Sequence, residues 1–161
     1  MELSIKPVSA RNRKQVLELS LAESQKGFVE SPRECLREAR RLWLWRPVAI
    51  LDADVVVGFA MYGKFPHEGE RGRVWLDRFL IDERYQGRGY GRKALSALCG
   101  RLRETYGCDE IYLSCYPENQ SAIRLYQRAG FQRNGEKDIN GEDVMVLTCG
   151  GTMEGSPLEE R

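Results

Sequence analysis

Between Asp82 and Leu98 the chain reads DERYQGRGYGRKALSAL, with Gly87, Gly89 and Gly91 at alternate positions among Arg84, Arg88, Arg92 and Lys93. Alternate glycines let a backbone turn sharply and approach a ligand closely. The apolar helical pattern that follows brings unpaired N–H groups and the positive end of a helix dipole to the same place. Cations in a first helical turn normally oppose that dipole, so Arg88, Arg92 and Lys93 are easier to understand beside a bound polyanion, phosphate above all. The plainer alternative is a capped helix with solvated arginines. A dinucleotide fingerprint would need glycine where Arg92 stands and would follow a first strand. A P-loop would end in Gly-Lys-Ser/Thr, which is missing here.

Three further residues could do chemistry. Tyr126 could donate a proton, although Ala122, Tyr126 and Ala129 share one helical face and could all be core. Asn119 could contact a ligand or simply cap a helix. Asp77, in VWLDRF, is an acid in a half-apolar strand. Strand alternation puts it on one face with Phe79 and Ile81, with Trp75 beyond. It could accept a proton, anchor an ammonium, or form an ordinary ion pair with a neighbouring arginine. His67 is the only histidine and lies in the polar stretch FPHEGERGR, which argues against a Ser-His-Asp machine. Cys35, Cys99, Cys108, Cys115 and Cys149 are scattered without CxxC spacing. That usage predicts no zinc site, no disulfide framework and a reduced, cytoplasmic protein.

The elements that must position these residues follow from local signals. LSIKPV reads as a first strand, and Ser9 as the cap of a helix through Val16, Leu17 and Leu19. SPRE, from Ser31 to Glu34, is a capping box with Pro at N1. Leu36, Ala39 and Leu42 or Trp43 continue that helix until Pro47 stops it. VAIL, the turn DADV and VVVGFAMYG predict an antiparallel hairpin, and VWLDRFLI a strand over 74–81. After the glycine loop, Leu95, Leu98, Leu102 and Tyr106 form a helical stripe ending at Gly107. EIYLSCY is the next strand, Asn119 to Ala129 a helix closed by Gly130. FQRNGE and VMVLT are two final strands joined through an Asn140-Gly141 turn. The unit from Val74 to Tyr116 predicts two parallel strands linked by a helical crossover. The sum is a mixed sheet with helices on both faces.

The chain has 161 residues, 42% of them hydrophobic and 30% charged, with a formal net charge of +1. That suits one domain, expected over 1–148, with a disordered tail over 149–161. The balanced charge gives no reason to expect nucleic acid, no apolar run suggests a membrane span, and the opening MELSIKPVSARNRKQ lacks the apolar core of a signal peptide.

Arg84-Tyr85-Gln86-Gly87-Arg88-Gly89 resembles the acyl-CoA pyrophosphate motif of the GNAT N-acetyltransferases. ENQSAIRLYQRAGF, with Asn119, Ala122, Tyr126 and Gly130-Phe131, resembles their second signature, in the right order and at the usual separation. The likeness covers about residues 3 to 148. The wider pattern VGFAMYGKFP…GRVWLDRFLIDERYQGRGYG looks like the bacterial spermine/spermidine acetyltransferases in particular.

The resemblance implies the GNAT fold, a mixed α/β (α+β) architecture with an antiparallel N-terminal half and a parallel strand pair. It also implies direct transfer of acetyl from acetyl-CoA to an amine, with no metal. Phe79, Leu80 and Ile81 would line the pantetheine arm, one amide being freed by an irregularity of the strand. Gln86, Gly87, Arg88, Gly89, Tyr90, Gly91 and Arg92 would hold the pyrophosphate, with Asn119 beside the arm. Tyr126 would protonate the departing thiolate. Asp77 would act as base, directly or through water, or as an anchor. A polyamine would need carboxylates and aromatic walls. Glu30 with Asp77 and Trp75 are the leading candidates, behind them Glu23, Glu68, Glu70, Phe28, Tyr62 and Phe65. Other amine acceptors (a protein N-terminus, lysine or an aminoglycoside) and a non-catalytic acyl-CoA-binding module remain alternatives. Homodimers are common in the family.

Overall fold

A computed structural model describes residues 1–28 and 30–149. Of the tail expected to be disordered over 149–161, Cys149 is instead buried in the core, its amide donating to the Asp109 carbonyl, and the residues from 150 onward lie outside the described residues.

Seven strands form one sheet in the order β1-β2-β3-β4-β5-β7-β6. They are β1 (Leu3–Pro7), β2 (Arg46–Asp52), β3 (Val55–Phe65), β4 (Arg73–Ile81), β5 (Glu110–Cys115), β6 (Gln132–Lys137) and β7 (Asp143–Thr148). β4 and β5 are parallel, and every other neighbouring pair is antiparallel. The mixed sheet expected from the sequence is therefore present.

Alternation along the strands sorts the core onto two faces. Val48, Ile50, Val74, Leu76 and Ile81 pack with Leu95, Leu98 and Leu102 of α3 (Tyr90–Tyr106) and Ile123 and Tyr126 of α4 (Gln120–Arg128). Ala49, Leu51, Phe59, Met61 and Leu80 pack on the other face with Val16 of α1 (Arg13–Leu17) and with Cys35 and Leu36 of α2 (Pro32–Arg41). β3 is buried on both faces, as its nearly unbroken apolar run requires.

The local signals mostly act as expected. Ser31 Oγ accepts from the Glu34 amide at 3.3 Å, capping α2, and donates to the Glu34 carboxylate at 3.0 Å, so the two capping-box residues pair at the start of the helix. α3 ends at Gly107 in a left-handed conformation, φ 60°. Two boundaries differ. α1 begins at Arg13, not after Ser9, because Asn12 competes for the chain. Its Oδ1 accepts from the Ser9 amide and its Nδ2 donates to the Pro7 carbonyl, so residues 9–12 form a turn. α2 ends at Arg41, which leaves Trp43 outside the helix and 76% exposed.

Two irregularities shape the site. The register of β3 on β4 runs Met61↔Arg78 and then Tyr62↔Leu76, so Asp77 is an extra residue, a β-bulge. The bulge breaks the simple alternation. Phe79 and Ile81 lie on the α3–α4 face with Val74 and Leu76, while Leu80 packs towards α1 and α2. The expectation that Asp77, Phe79, Ile81 and Trp75 follow one face thus fails at Asp77. The second irregularity is the β4–β5 pair, which is in register only at Trp75↔Tyr112 among the described residues. Beyond that point no ladder joins the C-terminal halves of the two strands, and a cleft opens between them.

Candidate active site

The cleft has a volume of about 750 Å³ and is lined by the C-terminal ends of β4 and β5, the glycine loop, α4 and the lead-in to α2. A crevice outside the carboxyl ends of parallel strands is where α/β sheets commonly bind ligands.

One arm of the cleft runs from the end of β4 to the glycine loop. Phe79, Leu80 and Ile81 line it, with Gln86, Gly87 and Gly91. Gln86 Nε2 donates to the Ile81 carbonyl at 2.8 Å, tying the loop to the end of β4. Gly87 and Gly89 take φ values of 78° and 87°, a region that favours glycine, and a Cβ at either would meet nothing within 4 Å. Their requirement is conformational, and the space beside the loop is open. α2 and α4 are capped by Ser31 and Asn119, whereas α3 starts at Gly89 with no side-chain cap and no acid in its first turn. Its first amides thus find no capping side chain, and Arg92 and Lys93 are exposed in the same turn. Those features suit a bound polyanion. Arg88, Gly89 and Arg92 are exposed on the same loop and first turn. Tyr90 turns the other way: its hydroxyl donates to Asp52, and its ring packs on Tyr85 at 5.7 Å.

Asp82, which the sequence reading passed over, fixes the start of that loop. It is fully buried and accepts from the amides of Ser20 (3.0 Å) and Arg84 (2.9 Å) and from Arg84 Nε (2.8 Å). Burial alone would raise its pKa, but these bonds outweigh burial and hold the carboxyl below its ordinary range.

At the centre, Asn119 lines the cleft and caps α4, its Oδ1 accepting from the Ala122 amide at 3.4 Å. Tyr126 lines it one helical stretch later, packed on Phe131 at 6.0 Å. Burial pushes the Tyr126 phenol well above its ordinary pKa, so it carries its proton throughout the neutral range. Cys115, opposite on β5, is pushed up to about 11 by burial, which makes it a poor nucleophile at neutral pH.

The other arm lies on the α1–α2 face. Glu30, Asp77 and Trp75 all line it, with Phe28, Phe65 and Glu68. Trp75 Nε1 donates to Glu68 at 2.7 Å, and its ring sits 5.4 Å from Tyr112. Phe28 and Tyr116 face each other at 6.0 Å. Tyr62 is not a wall: it is buried in the core, where its hydroxyl accepts from Arg101 Nε at 2.9 Å. Glu23 pairs with Lys26 at 2.9 Å instead.

Sequence reasoning missed the group that organises this arm. Arg78 reaches Glu30 at 2.9 Å, Glu38 at 3.1 Å and its neighbour Asp77. Burial works against its charge, but the negative groups around it, Glu30 and Glu38 among them, more than compensate, and its pKa is raised. A legible signal existed. Glu30, Glu34 and Glu38 recur every fourth residue, Glu30 just before the α2 cap and the other two on one face of the helix, where like charges repel unless a cation or a ligand faces them. Asp138 and Glu142, in the β6–β7 loop, were also missed. Glu142 is pushed up to about 7, first by burial and then by the Asp138 carboxylate beside it. In all, seven carboxylates line the cleft against one basic side chain, Arg78, among the described residues.

Comparison with known proteins agrees with this geometry. Residues 13–131 match the profile of the acetyltransferase (GNAT) family. The chain is 50% identical over 149 residues to a spermine/spermidine N(1)-acetyltransferase of Bacillus subtilis (strain 168), covering 91% of this chain and 98% of the relative. Among solved structures, an aminoglycoside acetyltransferase in complex with coenzyme A superposes with a TM-score of 0.78 at 19% identity, covering 96% of this chain and 99% of that one. A spermidine N-acetyltransferase from Vibrio cholerae in complex with CoA and spermine gives 0.69 at 19% identity, covering 91% and 95%. A profile match over most of the sheet, and half-identity across nearly the full length of both chains, show that the chain belongs to the acetyltransferase (GNAT) family.

Proposed function

We propose that this acetyltransferase moves the acetyl group of acetyl-CoA onto a primary amine of a polyamine, of the spermidine and spermine class, by direct attack. The observation that carries the acceptor is the seven-to-one excess of carboxylates over cations in the cleft. A flexible polycation is the small molecule that such a field attracts and orients. Aromatic faces at Phe28, Tyr116 and Trp75 suit its alkylammonium groups. The half-identical Bacillus relative carries that activity in its name, which supports the same reading.

Acetyl-CoA supplies the activated thioester. The amides of the Gln86–Arg92 loop and the first turn of α3 hold its pyrophosphate, and the β5-facing backbone of Phe79–Ile81 accompanies its arm. An amide there offers a donor to the thioester oxygen as charge develops. Tyr126 gives its proton to the departing thiolate, and the N–H proton shed by the nitrogen as the amide forms restores the phenol through water. The phenol's raised pKa is no bar, because the same dry surroundings disfavour the thiolate equally. Glu30 and Asp77 anchor ammonium groups, sharing their carboxylates with Arg78. Thiol release from acetyl-CoA tests this with spermidine, spermine, a basic peptide and an aminoglycoside as acceptors. Fast turnover of the polyamines is expected. Turnover confined to peptide or aminoglycoside would overturn the acceptor, and CoA binding without transfer to any amine would overturn the activity.

A further inference from the structure

We propose that Glu142 is the carboxylate that takes the proton from the acceptor ammonium before attack. This rests on the reading of the cleft as an amine-acetylating site. A protonated amine has no lone pair to offer, so one N–H proton must leave first. It passes to the Glu142 carboxylate, the amine keeps the electron pair, and Glu142 later returns the proton to water.

The placement argues for Glu142 over its neighbours. It immediately precedes Asp143, which pairs in register with Cys115 at the end of β5, where the cleft opens. Its loop is tied to itself and to β5 by hydrogen bonds. Asp138 Oδ1 accepts from the amides of Asn140 and Glu142, both at 2.9 Å, and Asp138 Oδ2 accepts from Ser114 Oγ of β5 at 3.0 Å. Glu142 lines the same cleft as Tyr126 of α4, Cys115 of β5 and Arg78 of β4, so one cavity holds the proton donor, the carboxylate cluster and Glu142.

The other lining carboxylates are engaged by donors. Arg78 takes Glu30, Glu38 and Asp77. Ser31 takes Glu34, and Trp75 takes Glu68. Glu142 instead has a carboxylate, Asp138, as its neighbour, with Arg78 and Asn140 working the other way. Burial and Asp138 bring its pKa to about 7. Below that pH it is protonated and cannot accept; above it, it is a base matched to neutral conditions.

The test is kcat/KM for spermidine between pH 5.5 and 9.5. In the wild type, activity should rise through an inflection near pH 7. Glu142→Gln should lower turnover at pH 7 by about 100-fold, remove that inflection and leave acetyl-CoA affinity within about twofold. Its defect should shrink towards alkaline pH, where free amine forms unaided. Asp138→Asn removes the neighbouring negative charge and should move the inflection to lower pH; this variant carries the test should Glu142→Gln fail to melt cooperatively. An unchanged inflection in either folded variant overturns the proposal while leaving the polyamine reading intact. A wild type active only on another amine overturns the polyamine reading instead, and the same profiles on that amine still decide Glu142.

Discussion

Replacing Asp82 by alanine should weaken both the fold and the grip on acetyl-CoA. The side chain is fully buried and satisfies two backbone amides from segments far apart in sequence, Ser20 and Arg84. Removing it orphans both. Each lost acceptor costs roughly 1–3 kcal/mol when the donor stays out of water. Because both amides lie in partly buried bonds, the lower half of that range applies, for a total of about 2–4 kcal/mol. The Arg84 guanidinium is 65% exposed, returns to solvent and adds little. In a chain of this size the melting temperature should fall by about 5–15 °C. Calorimetry from pH 8 to pH 3 checks the account. The folded carboxyl titrates below its ordinary value, so its contribution is full above about pH 4 and is lost as pH falls through the folded pKa. The gap between wild type and variant should hold steady from pH 8 to 5 and narrow below 4. A gap under 1 kcal/mol, or one that persists unchanged at pH 3, would refute the reasoning. Because Asp82 anchors Arg84, two residues before the Gln86–Arg92 loop, acetyl-CoA affinity should drop several-fold in parallel, and Asp82→Asn, which keeps one acceptor oxygen, should fall between.

Two other substitutions separate the arms of the cleft. Tyr126→Phe removes a proton donor without changing the packing on Phe131, so kcat should fall by about 100-fold while acetyl-CoA affinity stays within about twofold; unaltered turnover in a single-turnover assay would remove Tyr126 from the chemistry. Arg78→Met frees Glu30, Glu38 and Asp77 at once, and should cost about 1–3 kcal/mol of stability, because Glu30 and Glu38 are half exposed and re-solvate. The freed carboxylates should then bind substrate ammonium better, so the KM for spermidine should fall several-fold and spermidine should raise the variant's melting temperature more than the wild type's; a raised KM would mean that Arg78 positions the acceptor.

Much of this was legible in local chemistry. The capping box of α2, the Gly107 stop of α3, the β2–β3 hairpin and the glycine loop each depend on residues a few positions apart, and they formed as those residues dictate. The bulge at Asp77 was not legible, since it arises from how β3 and β4 meet. Arg78 was equally hidden. Its partners Glu30, just before α2, and Glu38, within it, lie 48 and 40 positions earlier, and only the packing of that segment on the sheet brings them together. Glu142 reads as a solvated turn residue, and acquires its environment only when the β6–β7 hairpin folds back beside β5. Tyr62 failed as a cleft wall for the reverse reason: strand parity alone carries it into the core under α3. The Asn12 turn, likewise, is a contest between two capping residues that sequence pattern cannot rank.

The central claim is that a field of carboxylates selects a polycation for acetylation. The most direct measurement is kcat/KM at low ionic strength for a series sharing one primary amine: a monoamine, a diamine, spermidine and spermine. The account predicts a rise of at least about tenfold from monoamine to spermidine, steeply reduced by salt. A flat series, or one indifferent to salt, would contradict it.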